Sequence, residues 1–308
     1  LLGGLAAQWL KYPKAQVFYF DKHCSSRHLC NALDGSFIEF GHEEGQGLAP
    51  LGDLEEVGLE WAKTWIQMLG KLANPSISEV TLGELASGVD LLARHGGGAL
   101  RELTAFGFEQ EGRAAVEKFA GKGKNKRILG GDSDSIAWKP FTVFEAQELF
   151  EYDEATSLLA LSYIFRRCEQ RFDGRPTLVV FDEAAAFLRH DVFREKIAEW
   201  LREARKKNVA VVMATQNVSD FIGSGIGDSF ENVNTYMFLP NARATTEKSA
   251  SAYRNFGLSD TQIEIISGLE PKREYYIVKP QGARIVDFKF GPVGLKLLSQ
   301  TDKEDSDR

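Results

Sequence analysis

The segment TLVVFDEAAAFL (177–188) constrains the fold more than any other. TLVVF (177–181) is a run of apolar residues too hydrophobic for an edge strand, and it ends in two adjacent carboxylates, Asp182 and Glu183. A strand buried on both faces belongs in a parallel sheet covered by helices, and in such sheets ligands bind beyond the carboxyl ends of the strands. The rest of the chain supports that placement. A helix at 1–11 leads to the strand AQVFYF (15–20), a short helix at 26–32 and a strand at SFIEF (36–40). The alternation stops near Gly41, where helical stretches at 53–72, 76–94, 99–106 and 110–119 replace it. It resumes with strands at PFTVFEA (140–146), TLVVF and VAVVMAT (209–215), separated by helices at 153–172 and 191–207. Strands at NTYMFL (234–239), REYYIVK (273–279) and ARIVDF (283–288) come next, with helices at 245–256 and 260–267 between them. The expected class is α/β with a mostly parallel sheet. The expected division is a core in two parts, 1–48 and 136–308, interrupted by an all-helical lobe at 49–135.

Composition excludes several alternatives. The 308 residues are 43% hydrophobic and 26% charged, which rules out a disordered chain, collagen or a coiled coil, and the length allows a sizeable core. No apolar run approaches the ~18 residues of a membrane span, and no export leader opens the chain. Three cysteines fit free thiols in a reducing compartment, so a cytoplasmic setting is expected. With 37 basic and 44 acidic side chains, the balance of −7 argues against coating nucleic acid with the whole surface.

An apolar strand ending in Asp-Glu is the Walker B pattern. Its first acid, Asp182, would hold Mg2+, usually through water, and its second, Glu183, would polarise the attacking water of a bound ATP. A plain strand followed by a helix with acids in its first turn has the same pattern. The neighbouring strand favours the first reading, because it ends in Gln216, an amide placed to sense a γ-phosphate. Between the two strands, the helix REKIAEWLREARKKN (194–208) carries Arg202, Arg205, Lys206 and Lys207 toward its end. Those cations suit the helix dipole, or one of them acts as an arginine finger in a neighbouring subunit.

A Walker B strand implies a phosphate loop G-x-x-x-x-G-K-[ST], and none occurs in the 308 residues. Residues 1–20 match the helix, loop and strand that come after such a loop in P-loop proteins, so the loop is expected directly upstream of Leu1. His23, Cys24, His28 and Cys30 invite a zinc reading, but their spacing fits no common finger and they are set aside as loop residues. The run GKGKNKR, with Lys122, Lys124, Lys126 and Arg127, would touch DNA phosphates or a partner, or is a solvated loop. Lys272 and Arg273 would approach a nucleotide or start a strand.

Several ordered segments carry a specific resemblance: FYFDKHCSSR (18–27), FTVFEAQEL (141–149), RFDGRPTLVVFDEAAAFL (171–188), WLREARKKNVAVVMATQNVSD (200–220), FLPNARA (238–244), YRNFGLSDTQIEII (253–266) and PKREYYI (271–277). Together they resemble the conjugative type IV secretion ATPases of the TrbE type, over nearly all of the chain. The resemblance implies a RecA-like P-loop NTPase core of the HerA/FtsK group with an all-helical insertion. It implies an ATP- and Mg2+-dependent motor, a homo-oligomer (a hexamer), peripheral at the cytoplasmic face of the inner membrane and working with other secretion subunits. On the matching positions it implies Asp182 and Glu183 as the Walker B pair, Gln216 as sensor and Arg205 as finger. Where the family commonly has DEAW, this chain has Ala184 and Ala185 after the acids. Two other functions stay open on sequence alone: a DNA translocase of the same superfamily, and a scaffold that does not hydrolyse nucleotide.

Overall fold

The structure, a computed structural model, describes residues 1–40, 47–120, 128–223 and 232–299. Its centre is a five-stranded, all-parallel sheet in the order β2-β3-β1-β4-β5, formed by β1 (Gln16–Asp21), β2 (Ser36–Ile38), β3 (Phe141–Glu145), β4 (Thr177–Phe181) and β5 (Val209–Met213). The central strand β1 pairs with β3 on one side and β4 on the other, so Phe20 lies between Phe144 and Phe181. Their rings stack, with centroids 5.2 and 4.8 Å from Phe20.

Alternation along β1 assigns its side chains to two layers, as the period of a strand requires. Val17 and Tyr19 face α1 (Leu2–Trp9) and α2 (Arg27–Ala32), whereas Phe18 and Phe20 face the larger core on the other side. That larger core is continuous with the helical lobe. The lobe comprises α3 (Leu54–Val57), α4 (Leu59–Ala73), α5 (Glu79–Ala93), a 3-10 turn at Leu100–Phe106 and α6 (Gln110–Ala120). Helix α4 buries Ala62, Trp65, Ile66 and Leu69, the spacing of one helical face, and Ser78 caps α5 by accepting from the Thr81 N–H.

After α7 (Ala146–Glu151), the helix that joins lobe to sheet is α8 (Glu154–Glu169), capped by Asp153. It is buried on nearly every side because both layers press on it. The Trp65 indole N–H donates to the Leu159 carbonyl at 3.1 Å, and Arg166 Nε to the Val57 carbonyl at 2.9 Å. Buried Arg167 donates to Glu56 at 2.8 Å, to Asp134 at 2.7 Å and to the Tyr163 hydroxyl at 2.6 Å. The lobe is thus fixed to the sheet by apolar packing and by an ion-pair network centred on Arg167.

Past β4 come α9 (Ala184–Leu188) and α10 (Asp191–Glu203). The expected helix 191–207 stops at Glu203 and tightens into a 3-10 turn at Ala204–Lys207, closed by Asn208 at φ 60°. After α11 (Val218–Gly223), the last three strands stand apart from the main sheet. β6 (Tyr236–Phe238), β7 (Glu274–Lys279) and β8 (Gly282–Asp287) do not extend the main sheet but form an antiparallel sheet of their own. Only Pro280 and Gln281 separate β7 from β8, too short for a parallel crossover, so the pair must be a hairpin. It packs on α12 (Glu247–Asn255) and α13 (Asp260–Gly268), and α14 (Pro292–Ser299) returns to lie against α1 and α2. Among the described residues no helix is long and apolar enough to cross a membrane.

Candidate active site

The carboxyl ends of β1, β3 and β4 all finish in acids. Register sets Asp21 opposite Glu145, and Asp182 comes after Phe181, one residue beyond its pairing with Phe20, with its N–H donating to the Phe20 carbonyl at 3.0 Å. The chain runs outward from β1 to β2 and β3, then crosses to β4 on the other side, so the strand order reverses between β1 and β4, the place where open parallel sheets bind ligands.

Glu183 sits in the left-handed region, φ 59° and ψ 54°, a conformation uncommon for a residue with a Cβ. The surroundings enforce it. The Ala184 N–H donates to the Ala214 carbonyl at 2.7 Å and the Ala214 N–H to the Phe181 carbonyl at 3.0 Å, which ties the turn after β4 to the end of β5. Ala184 is fully buried and Ala185 nearly so, and the small side chains let the turn pack this closely. Two adjacent acids on one strand would face opposite ways; the turn at Glu183 changes the chain direction between them.

Asp21, unassigned from the sequence, is the fully buried anchor of the site. Its carboxylate accepts from the Lys22 N–H at 2.8 Å, the Ser26 N–H and Oγ at 2.7 Å each, and Ser25 Oγ at 2.5 Å. It thereby folds the loop after β1, in which His23 and Cys24 both have positive φ. Glu145 is buried too, accepting from the Cys24 N–H at 2.7 Å and the Gln147 N–H at 2.9 Å. Ser25 Oγ also lies 3.4 Å from Asp182 Oδ2, so one hydroxyl bridges two acids.

Burial, and then the nearby Asp21 charge, push the Asp182 carboxyl up to about 6; the Ser25 hydrogen bond opposes the rise. Burial also raises Asp21 and Glu145. None of these acids has an ion-pair partner among the described residues. Such a site favours a cation. The described residues contain no cluster of three metal-ligating side chains.

The other sequence-predicted residues divide between the two edges of the sheet. Gln216 is exposed just past β5, at the same edge as Asp182 and Glu183. Arg205 lies in the 3-10 turn before β5, at the opposite edge. Five strand residues separate the two edges, about 16 Å at 3.3 Å per residue, so Arg205 cannot reach the acids of its own chain. Lys272, at φ 65°, lines a cleft of about 390 Å³ with Leu1, Tyr275, Phe290 and Leu298. The start of α1 is within electrostatic reach of Asp182, so Lys272 is on the site's side of the molecule. Arg273 is turned away, paired with Glu270 at 2.9 Å and Asp287 at 3.1 Å, which braces the β7–β8 hairpin. Lys122, Lys124, Lys126 and Arg127 lie outside the described residues. Cys24, Cys30 and Cys168 are free thiols; Cys24 binds into the acid network through its backbone.

A parallel sheet flanked by helices, with an acid pair at the end of the strand beside the central one, has the architecture of a RecA-like core. No protein-family profile matches the chain. Its sequence is 37% identical over 315 residues to a probable conjugal transfer protein TrbE of Sinorhizobium fredii, covering 100% of this chain and 48% of the relative. It is 36% identical to the conjugal transfer protein TrbE of Rhizobium radiobacter, covering 100% of this chain and 39% of that one. The chain is therefore a homologue of the TrbE conjugal transfer proteins, and it spans about half or less of the length of these relatives. In fold it is similar to VirB4 of Thermoanaerobacter pseudethanolicus, with TM-score 0.72 and 16% identity over 96% of this chain and 87% of that one. The plasmid coupling protein TrwB, solved with ADP and Mg2+, has the same fold at TM-score 0.56 and 12% identity, over 94% of this chain and 82% of that one.

Proposed function

We propose that the chain is the nucleotide-hydrolysing core of a type IV secretion motor, with ATP bound between subunits of a homo-oligomer, a hexamer. The observation that carries this reading is the acid pair Asp182–Glu183 at the carboxyl end of β4 beside β1, with no ion-pair partner among the described residues. TrwB, whose fold it shares, has been solved with a non-hydrolysable ATP analogue and with ADP and Mg2+, and the TrbE homology supplies the conjugal setting.

Asp182 would hold Mg2+, which when bound neutralises phosphate charge and fixes the phosphates in line for attack. Ionised Asp182 would be the carboxylate that holds the ion, and Ser25 helps hold that carboxylate in place. Glu183, at the left-handed turn after β4, would orient the attacking water and take its proton. Gln216 at the tip of β5 hydrogen-bonds that water or the γ-phosphate. Arg205 of a neighbouring subunit donates to the developing phosphate charge, so hydrolysis depends on assembly. Lys272 would bring a positive charge to the nucleotide from the cleft it lines, while Arg273 serves the hairpin. In this reading the motor sits peripherally at the cytoplasmic face of the inner membrane and drives other secretion subunits.

Glu183→Gln in the intact protein tests it. Turnover is expected to fall by about 10²–10⁴-fold, the usual contribution of a general base, while ATP binding survives. Unchanged turnover would remove Glu183 from its role and the acid pair from the centre of the proposal.

A further inference from the structure

The opposite edge of the main sheet carries a second pocket that the proposed hydrolysis does not use. It has a volume of about 680 Å³ and is bounded by the loops entering β1, β3 and β4. Four cations line it, Lys14, Lys139, Arg171 and Arg175, against a single acid, Asp173.

The cations are unevenly neutralised. Arg175 takes up Asp173 through a bidentate pair, and Lys139 holds the exposed Asp34 at 2.7 Å. Lys14, on a loop where its own φ is 59°, has no carboxylate partner among the described residues. Arg171 is half-buried and weakly compensated, with Nη1 donating to the Arg167 carbonyl at 3.2 Å. Its nearest carboxylate oxygen, on Glu56, is 3.7 Å away, and the other Glu56 oxygen is already bound to Arg167 at 2.8 Å. Burial, with Arg167 nearby, holds the Arg171 guanidinium below the ordinary arginine range. A half-buried guanidinium with distant counter-charge gains from an incoming anion. It lies over the Trp138 ring, 3.7 Å from the centroid, and buried Gln16 donates to the Arg171 carbonyl at 2.7 Å, fixing the loop.

We infer that this amino-edge pocket binds a phosphate ester of nucleotide size, with the phosphate on Arg171 and Lys14 and the flat organic part along the Arg171–Trp138 stack. The guanidinium N–H donors that the Arg167 carbonyl and Glu56 leave unused match phosphate oxygens, and a stacked guanidinium presents a planar face to a base. The volume is that of a small-ligand site. A free nucleotide and one residue of a nucleic-acid strand share this chemistry. The pocket is about 16 Å from Asp182 and does not depend on hydrolysis there.

Titration calorimetry of the full chain in EDTA, with thymidine 5′-monophosphate and with a ten-residue oligothymidylate, tests the inference. At least one probe is expected to bind saturably; tight binding of the mononucleotide identifies free nucleotide as the source, and binding of the oligomer alone identifies a strand. Lys14→Glu and Arg171→Gln should each weaken it by about tenfold, the loss of one charge-assisted contact, while Asp182→Asn leaves it unchanged. Lys14 is exposed, so its variant keeps the test valid even where Arg171→Gln disturbs folding. Binding of neither probe, binding indifferent to both amino-edge substitutions, or binding lost in Asp182→Asn would overturn the inference. The last result would move the ligand to the carboxyl edge without touching the hydrolytic reading.

Discussion

The two edges of the main sheet are built from the same five strands and differ in charge. At the carboxyl edge Asp21, Glu145, Asp182 and Glu183 gather with no cation paired to them among the described residues. At the amino edge Lys14, Lys139, Arg171 and Arg175 gather against one acid. Along the β-strands nothing polar of this kind intervenes; β1, β3 and β4 are buried throughout. Folding free energy comes from the apolar middle, and uncompensated charge is carried at the ends. The lobe junction shows the contrasting solution, where Arg167, more deeply buried than Arg171, has Glu56, Asp134 and Tyr163 around it. A charge network that satisfies itself holds a structure together, whereas one left short of counter-charge holds a place for a ligand.

The strongest way to break the separation of the edges is through Arg205, an amino-edge residue with a proposed carboxyl-edge role in the next subunit. Arg205→Ala should lower turnover by about 10³-fold or more, the worth of an arginine finger, with no loss of ATP binding. Mixing Arg205→Ala subunits with Asp182→Asn subunits should restore part of the rate, because some interfaces then join an intact acid pair to an intact arginine. Normal hydrolysis by the Arg205→Ala oligomer would sever the link between edges, and failure of the mixed oligomer to recover would place Arg205 in its own subunit's structure instead.

Much of this is legible in the sequence, for identifiable reasons. Residues 177–181 have the pattern of a buried strand and no other, so the position of Asp182 and Glu183 at its end comes from pattern alone. Asp21 and Glu145 are not legible. Each reads as the charged residue that stops an apolar strand, and only the pairing of β1 with β3 and β4 brings them into one row with Asp182. The amino-edge pocket escapes for the same reason, since Lys14, Lys139 and Arg171 are far apart in sequence. The hairpin β7–β8 is hard to place because two apolar runs look alike in either sheet; the two residues between them, Pro280 and Gln281, are the signal that they pair with each other.

The stability of the carboxyl edge should depend on pH in a definite direction. Asp182 titrates at about 6 in the folded chain, chiefly because it is buried, against about 3.9 when unfolded. Between those values the folded state binds the proton more tightly, so stability is greatest below about pH 4 with respect to this group and is lost as pH rises through about 6. The loss amounts to roughly 2–3 kcal/mol. Asp182→Asn should therefore raise the melting temperature at pH 8, by about 5 °C, and flatten the fall measured between pH 4 and 6. A variant that is less stable than the parent at pH 8 would show that the carboxylate is compensated, and the two edges would no longer differ as described.

The smallest effect, and the finest test of how the acids are coupled, is Ser25→Ala. The Ser25 hydroxyl donates to Asp21 at 2.5 Å and lies 3.4 Å from Asp182, and its hydrogen bond lowers both carboxyls against the effect of burial. Asp21 keeps three other donors, Lys22 N–H, Ser26 N–H and Ser26 Oγ, so the loop after β1 should stay folded at a cost of about 1 kcal/mol by denaturant titration. The telling readout is the midpoint of the pH-dependent fall, which should move upward because both acids then hold their protons more tightly. A midpoint that stays where it was would mean that Ser25 serves only Asp21, and that Asp182 feels the neighbouring acid through its charge alone.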